Sequence, residues 1–246
     1  MYLCLDCGNT TIVCALCEND KIIRVRRVDT NIYNDADYYF ETCFKNFTEY
    51  HIEGVIISSV VPSIDKTLKE VFEKHFRINP KFVDPTIPYK LDILIENKFE
   101  LGSDLFIAAL GALKYNLGNV MICDLGTANK FLVLKGNEFL GGAIAPGLMS
   151  SLKNMFKDAE MLQSVKLDTP NKVVGNSTIK CIQSGSIYGT AVMIEGMKAK
   201  FESEVGPLTM ILTGGNADYI KDALAIDFIW APNLLIEGLI DLYLNE

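Results

Sequence analysis

Tyr2-Leu3-Cys4-Leu5-Asp6-Cys7-Gly8-Asn9-Thr10-Thr11-Ile12-Val13-Cys14-Ala15-Leu16 is an apolar run that stops at an aspartate, turns on small polar residues and returns as a second apolar run. The design recurs as Val120-Met121-Ile122-Cys123, Asp124-Leu125-Gly126-Thr127-Ala128 and Phe131-Leu132-Val133-Leu134. Short apolar runs broken by Gly, Asn and Asp read as hairpins, and each copy is closed by a further turn, Glu18-Asn19-Asp20 or Lys135-Gly136-Asn137. Such a turn sets a carboxylate beside backbone N–H groups and hydroxyls, which suits a metal-bound polyphosphate. One Asp-x-Gly alone reads equally as an ordinary hairpin turn. Two copies with the same flanks point to a duplicated phosphate hairpin.

The surroundings repeat as well. After the meander Tyr2 to Val28 the pattern predicts a helical stretch Asn34 to Tyr50, a buried strand Gly54 to Val61 and a helix Asp65 to His75 capped by Ser63. A strand Lys81 to Val83 follows, then a loop Asp84 to Leu101 with an edge strand, and a helix Ser103 to Tyr115. The second half predicts a meander Val120 to Ala145, helices Met149 to Met161 and Ser177 to Phe201, and a strand Leu208 to Leu212 leading into Thr213-Gly214-Gly215-Asn216. A helix Ala217 to Leu224, a strand Phe228 to Trp230 and a helix Asn233 to Leu244 complete it. That order is α/β with a mixed sheet in each half. It suggests two domains, 1–117 and 118–246, closely packed with a cleft between them.

A chain of 246 residues can hold one large core or two small ones, and the repeat favours two. The formal charge of −8 argues against nucleic acid as the main partner, so an anionic ligand must be held by backbone amides, local cations or metal. The start, Met1-Tyr2-Leu3-Cys4-Leu5-Asp6, has no basic leader or cleavage site, and no apolar run reaches the length of a membrane span. A cytoplasmic location off the membrane is expected. Seven cysteines include Cys4-x-x-Cys7 and Cys14-x-x-Cys17, but strand positions three apart face opposite sides, so neither pair chelates one ion without breaking its hairpin. Buried, reduced thiols are expected instead, as in a reducing compartment.

Seven motifs in order carry a family resemblance over the whole length. They are Asp6-Cys7-Gly8-Asn9-Thr10, Gly102-Ser103-Asp104-Leu105, Asp124-Leu125-Gly126-Thr127-Ala128, and Gly141-Gly142-Ala143-Ile144-Ala145-Pro146-Gly147-Leu148. Ser177-Thr178 with Gln183-Ser184-Gly185, Thr213-Gly214-Gly215, and Pro232-Asn233-Leu234 before Glu237-Gly238-Leu239 complete the set. The chain resembles the type III pantothenate kinases, of the acetate and sugar kinase, heat-shock cognate and actin superfamily. The resemblance implies two ribonuclease-H-like domains and transfer of the ATP γ-phosphoryl group to the primary hydroxyl of pantothenate, the first step of coenzyme A synthesis. It also implies a homodimer through the region of Gly185, Gly189 and Gly196, where glycines permit close helix contact.

No Gly-x-x-x-x-Gly-Lys-Ser/Thr is present, so the hairpins must serve the phosphates. The resemblance assigns Asp6, Cys7, Gly8, Asn9, Thr10, Thr11, Ile12 and Val13 to the first phosphate loop, with Asp6 holding Mg²⁺ through water, and Thr127 to an ATP contact. Asp104 matches the general base, Gly102, Ser103, Asp104, Leu105 and Thr178 match substrate contacts, and Asp124 matches a ligand of a monovalent cation, K⁺ or NH₄⁺. Residue chemistry agrees in part: His51 and His75 lie in no motif, so a carboxylate is the better base. An aspartate in a first helical turn is also common as a dipole partner. Leu105 stands where the family motif has arginine, Asn129-Lys130 replaces a pair that usually begins with threonine, and Ile95 falls about where many members place a tyrosine. Lys90, Lys98 or Lys130 could supply the missing charge, and Lys130 could take the place of the cation. A catalytically degenerate nucleotide-binding or regulatory homologue, or a kinase of another small hydroxylated substrate, is the competing expectation.

Overall fold

In the computed structural model, which describes residues 1–87, 89–157 and 165–245, the opening stretch forms β1 (Tyr2–Cys7) and β2 (Thr11–Glu18), extended by β3 (Lys21–Asp29) into an antiparallel meander. β4 (Gly54–Ser59) adds parallel to β1 on its other side, and β5 (Lys81–Phe82) parallel to β4. The order is β3-β2-β1-β4-β5. A short strand, β6 (Asp92–Ile93), lies in the long connection that follows. The second unit repeats the construction with β7 (Asn119–Leu125), β8 (Ala128–Lys135) and β9 (Glu138–Pro146) antiparallel. β10 (Thr209–Thr213) and β11 (Ile229–Trp230) then continue in parallel from β7, giving β11-β10-β7-β8-β9. Both sheets are mixed and share one strand order, as the sequence repeat predicts.

Helices cover the sheets. In the first unit α1 (Ala36–Tyr39) runs into a π turn at Phe40–Phe44, and α2 (Pro62–Val71) into another at Phe72–Phe76. Phe44 and Phe72 meet at a centroid distance of 4.9 Å in a core built with Leu3, Leu5, Ile12, Leu16 and Ile57. α2 begins one residue before the expected cap Ser63: Pro62 takes the first helical position, where its fixed φ and missing N–H cost nothing, and Val61 precedes it. α3 (Ser103–Leu113) follows. In the second unit come α4 (Leu148–Lys157) and the long α5 (Thr178–Val205), whose Ile187, Ala191 and Ile194 share a core with Met121, Cys123, Phe131 and Leu212. The expected extension of α4 to Met161 lies outside the described residues beyond Lys157. Ala217 to Leu224 is not the α-helix expected but two 3₁₀ turns, Ala217–Tyr219 and Lys221–Ala223. The stretch is too short to repay helix nucleation, and its buried Ala217 and Ile220 are held by the core instead.

The chain groups by contact into Met1–Tyr115 with the segment from Leu234 onward, and Asn116–Asn233. A boundary at 117/118 assigns the last helix, α6 (Leu234–Asn245), to the second half, yet α6 packs on β1, β4 and α3. Steric fit explains this. Any Cβ at Gly238 would strike the Ile107 carbonyl, and one at Gly111 the Leu234 carbonyl, so the α3 and α6 backbones touch directly. Tyr243 stacks on Tyr2 at 4.0 Å. By contrast, Gly185, Gly189 and Gly196 on α5 have nothing within 4 Å of where a side chain would stand. Among the described residues no helix is long and apolar enough to cross a membrane.

Cys4, Cys7, Cys14, Cys17, Cys43 and Cys123 are buried free thiols, and Cys181 is exposed. Cys7 and Cys14 face the first core, whereas Cys4 and Cys17 do not belong to it, as strand alternation requires. Burial pushes the thiols of Cys4, Cys7 and Cys14 well above the ordinary range. Two outcomes are expected. A thiol reagent titrates Cys181 in the native protein and the six buried cysteines only after unfolding. Gly238→Ala lowers stability by about 1–3 kcal/mol in urea denaturation, because the added methyl overpacks a backbone contact.

Candidate active site

In the first unit β1, β4 and α3 converge at one end of the sheet. Asp6, near the end of β1, is the register partner of Ser58 on β4 and of Val13 on β2. Ser58, fully buried, donates from Oγ to Ser103 Oγ at 2.9 Å, and Ser103 Oγ donates to the Ser59 carbonyl at 3.0 Å. The start of α3 is thereby pinned to the end of β4, which brings Asp6 and the Gly102 to Leu105 segment to the same edge. Gly102 is the N-cap, and a Cβ there would lie 2.5 Å from Asp104 Oδ1, so glycine leaves the carboxylate room to fold over the helix start. Asp104 Oδ1 accepts the Leu105 N–H at 2.8 Å, and Asp104 is half-buried in the positive end of α3.

Gly8 to Thr11 makes the turn above Asp6. Gly8 N–H donates to the Thr11 carbonyl at 3.0 Å, and Thr30, just after β3, donates from Oγ1 to the Gly8 carbonyl at 2.7 Å and from N–H to the Thr10 carbonyl at 2.9 Å. Asn9 and Thr10 are exposed. Cys7 and Ile12 are fully buried in the core, so their side chains are not presented to a ligand and the expected eight-residue stretch narrows there to backbone.

In the second unit Asp124 sits at the matching place on β7. Its partner across β8 is Lys130, whose Nζ donates to Asp124 Oδ2 at 2.8 Å. The turn is held from two sides. Gly147 N–H and Ser150 Oγ donate to the Thr127 carbonyl at 3.2 and 2.8 Å. From the turn after β10, Asn216 donates its N–H to the Leu125 carbonyl and its Nδ2 to the Gly126 carbonyl, each at 2.8 Å. Gly214 makes this clamp possible: its φ is +98°, and a Cβ would stand 2.4 Å from Leu125 N and 2.6 Å from Asp124 Oδ1. Thr127 is exposed. Thr178 is the exposed first residue of α5, behind the cap Ser177, and shares no element with the hairpin.

Sequence reading missed Ser58 and the clamp from Asn216. Their signals are weak: a small polar residue at the end of an apolar strand, and an asparagine after two glycines. Of the lysines proposed to replace the motif arginine, Lys90 pairs with Asp241 at 2.9 Å, Lys130 pairs with Asp124, and Lys98 lies 5.6 Å over the Phe99 ring in a turn that leads into Gly102.

The family profile described as type III pantothenate kinase matches residues 2–200. The chain belongs to this family. It is 37% identical over 245 residues to the type III pantothenate kinase of Acholeplasma laidlawii (strain PG-8A), covering 99% of this chain and 98% of that one. Among solved structures, the (R)-2-hydroxyglutaryl-CoA dehydratase component A of Acidaminococcus fermentans is similar with a TM-score of 0.58 at 14% identity, covering 97% of this chain and 94% of that one. The inorganic polyphosphate/ATP-glucomannokinase of Arthrobacter sp. strain KM is similar with a TM-score of 0.52 at 14% identity, covering 100% and 99%. At such identity the likeness concerns the fold alone. In this type III pantothenate kinase family member the Ser58, Ser103 and Ser59 chain links β4, the parallel neighbour of β1, to the start of α3. Ser103→Ala is expected to lower stability by about 1–3 kcal/mol, because it strands a buried hydroxyl and a carbonyl, with the loss read in a urea melt.

Proposed function

We propose that this protein transfers the γ-phosphoryl group of ATP to the primary hydroxyl of pantothenate, giving 4'-phosphopantothenate and ADP, the first step of coenzyme A synthesis. The observation that carries this reading is family membership along residues 2–200 together with Asp104 at the start of α3, on the same sheet edge as Asp6. Phosphoryl transfer calls for positioning and charge compensation more than covalent chemistry.

Asp104 accepts the proton of the pantothenate hydroxyl as its oxygen bonds to the γ-phosphorus and the bond to the β,γ-bridging oxygen breaks. Gly102 to Leu105 and Thr178 contact pantothenate, and Gly8 to Thr11 and Thr127 contact the nucleotide. Asp6 offers a hard carboxylate near the end of β1 that would hold Mg²⁺ through water, and the ion would supply positive charge to the phosphates. The monovalent cation implied at Asp124, K⁺ or NH₄⁺, meets a carboxylate already paired with Lys130. Leu105 removes a motif cation, and Lys98 is the lysine best placed by chain position to restore it. A homodimer formed through α5 suits its open glycine positions and its exposed Ile179 and Val192. A cytoplasmic location suits the free thiols.

A coupled ADP-release assay with ATP, Mg²⁺ and pantothenate tests the reading. Pantothenate-dependent release is expected from the wild type, falling by about 10²-fold or more in Asp104→Asn. Folded protein that binds nucleotide but releases no ADP on adding pantothenate would refute it.

A further inference from the structure

Asp124 ends its strand where little water reaches it: its side chain is 8% exposed and that of Lys130 18%. The two are cross-strand partners on β7 and β8, so the ladder itself holds the ammonium over the carboxylate. One carboxylate oxygen, Oδ2, accepts from Lys130 Nζ at 2.8 Å. The other, Oδ1, lies under Gly214, 2.6 Å from where a Cβ would stand. The carboxylate is thus covered by a cation on one side and by backbone on the other.

A resident potassium or ammonium ion fits this donor set poorly. Held by the same carboxylate, it would share a confined, poorly hydrated place with a like charge. Such ions also need several oxygens. Among the described residues the buried side-chain oxygens left without a hydrogen-bond partner are Asp65 Oδ1 and Asn129 Oδ1, and Asn129 precedes Lys130 on β8 and so belongs to the opposite face. The amide of that side chain donates to the Pro146 carbonyl. The duplicated hairpin supplies a comparison. There the partner of Asp6 in the equivalent register is Val13, so the hairpin architecture does not itself demand a lysine.

We infer that the Lys130 ammonium is a tethered cation standing where a monovalent ion would sit, so that this protein draws the positive charge at Asp124 from its own chain and is indifferent to K⁺ and NH₄⁺. The inference rests on reading the Asp124 to Thr127 hairpin as a phosphate loop. A tethered charge is always present, whereas a bound ion follows the salt around it. Removing the lysine leaves a buried carboxylate uncompensated, which an ion from solution can then neutralise.

The test is thermal melting of the full chain in chlorides of potassium, ammonium, sodium and tetramethylammonium at one ionic strength, with and without Mg²⁺ and a non-hydrolysable ATP analogue. The wild type is expected to show one melting temperature and one analogue-induced shift in all four salts. Lys130→Met is expected to melt lower in tetramethylammonium and to regain about 2–4 °C or more in potassium or ammonium. A potassium- or ammonium-specific rise in the wild type overturns the inference, and so does a folded Lys130→Met that ignores the salt. Should the variant fail to fold, the four-salt comparison of the wild type decides alone. None of these readouts involves pantothenate, so loss of the proposed substrate leaves them standing.

Discussion

A strand paired on both sides leaves its last side chains little freedom, and the candidate site depends on that restraint. β1 is antiparallel to β2 and parallel to β4, and β7 is antiparallel to β8 and parallel to β10. Asp6 and Asp124 come near the ends of these central strands, where both ladders stop and the chain turns. Each carboxylate is therefore positioned by two sets of hydrogen bonds while it lies beside a loop that can admit a ligand. Open α/β sheets bind ligands outside the carboxyl ends of their strands for this reason.

Polar side chains near these ends hold the turns. Thr30 secures the first turn from the end of the meander, and Asn216 with Ser150 secures the second. Ser103 ties α3 to β4, so that Asp104 is held by a helix start rather than by a flexible loop. Glycine is required at Gly214 because backbone passes over backbone there with φ at +98°. At Gly111 and Gly238 it allows α3 and α6 to meet without side chains between them, which fixes the helix that carries Asp104. Where backbone meets backbone in this way, a single methyl group is enough to disturb the contact.

The two hairpins share geometry and differ in charge. Val13 faces Asp6 and Lys130 faces Asp124 at the same place in the register. Duplication accounts for the likeness, and the different partners give the two carboxylates different surroundings. The cross-strand partner of Asp6 is apolar, whereas Asp124 is paired with the Lys130 ammonium. The departures from the family pattern at Leu105 and Asn129-Lys130 lie beside Asp104, the proposed base, and Asp124.

The sequence by itself determined the duplication, the mixed α/β order and the identity of the motif residues. Periodicity and turn chemistry act over a few neighbours, and the hairpins Tyr2 to Leu16 and Val120 to Leu134 carry both signals strongly. It also predicted helical structure at Ala217 to Leu224, where short length and core contacts produced 3₁₀ turns. Only the tertiary structure decided which residues meet across long separations. Ser58 with Ser103, Asn216 with Gly126, and α6 with β1 are contacts whose residue types are unremarkable in the chain. Lys130 shows the division most plainly. Sequence offered Lys130 either for the missing motif charge or in place of the cation at Asp124, and the antiparallel register of β7 and β8, a property of two folded strands, set its ammonium on Asp124.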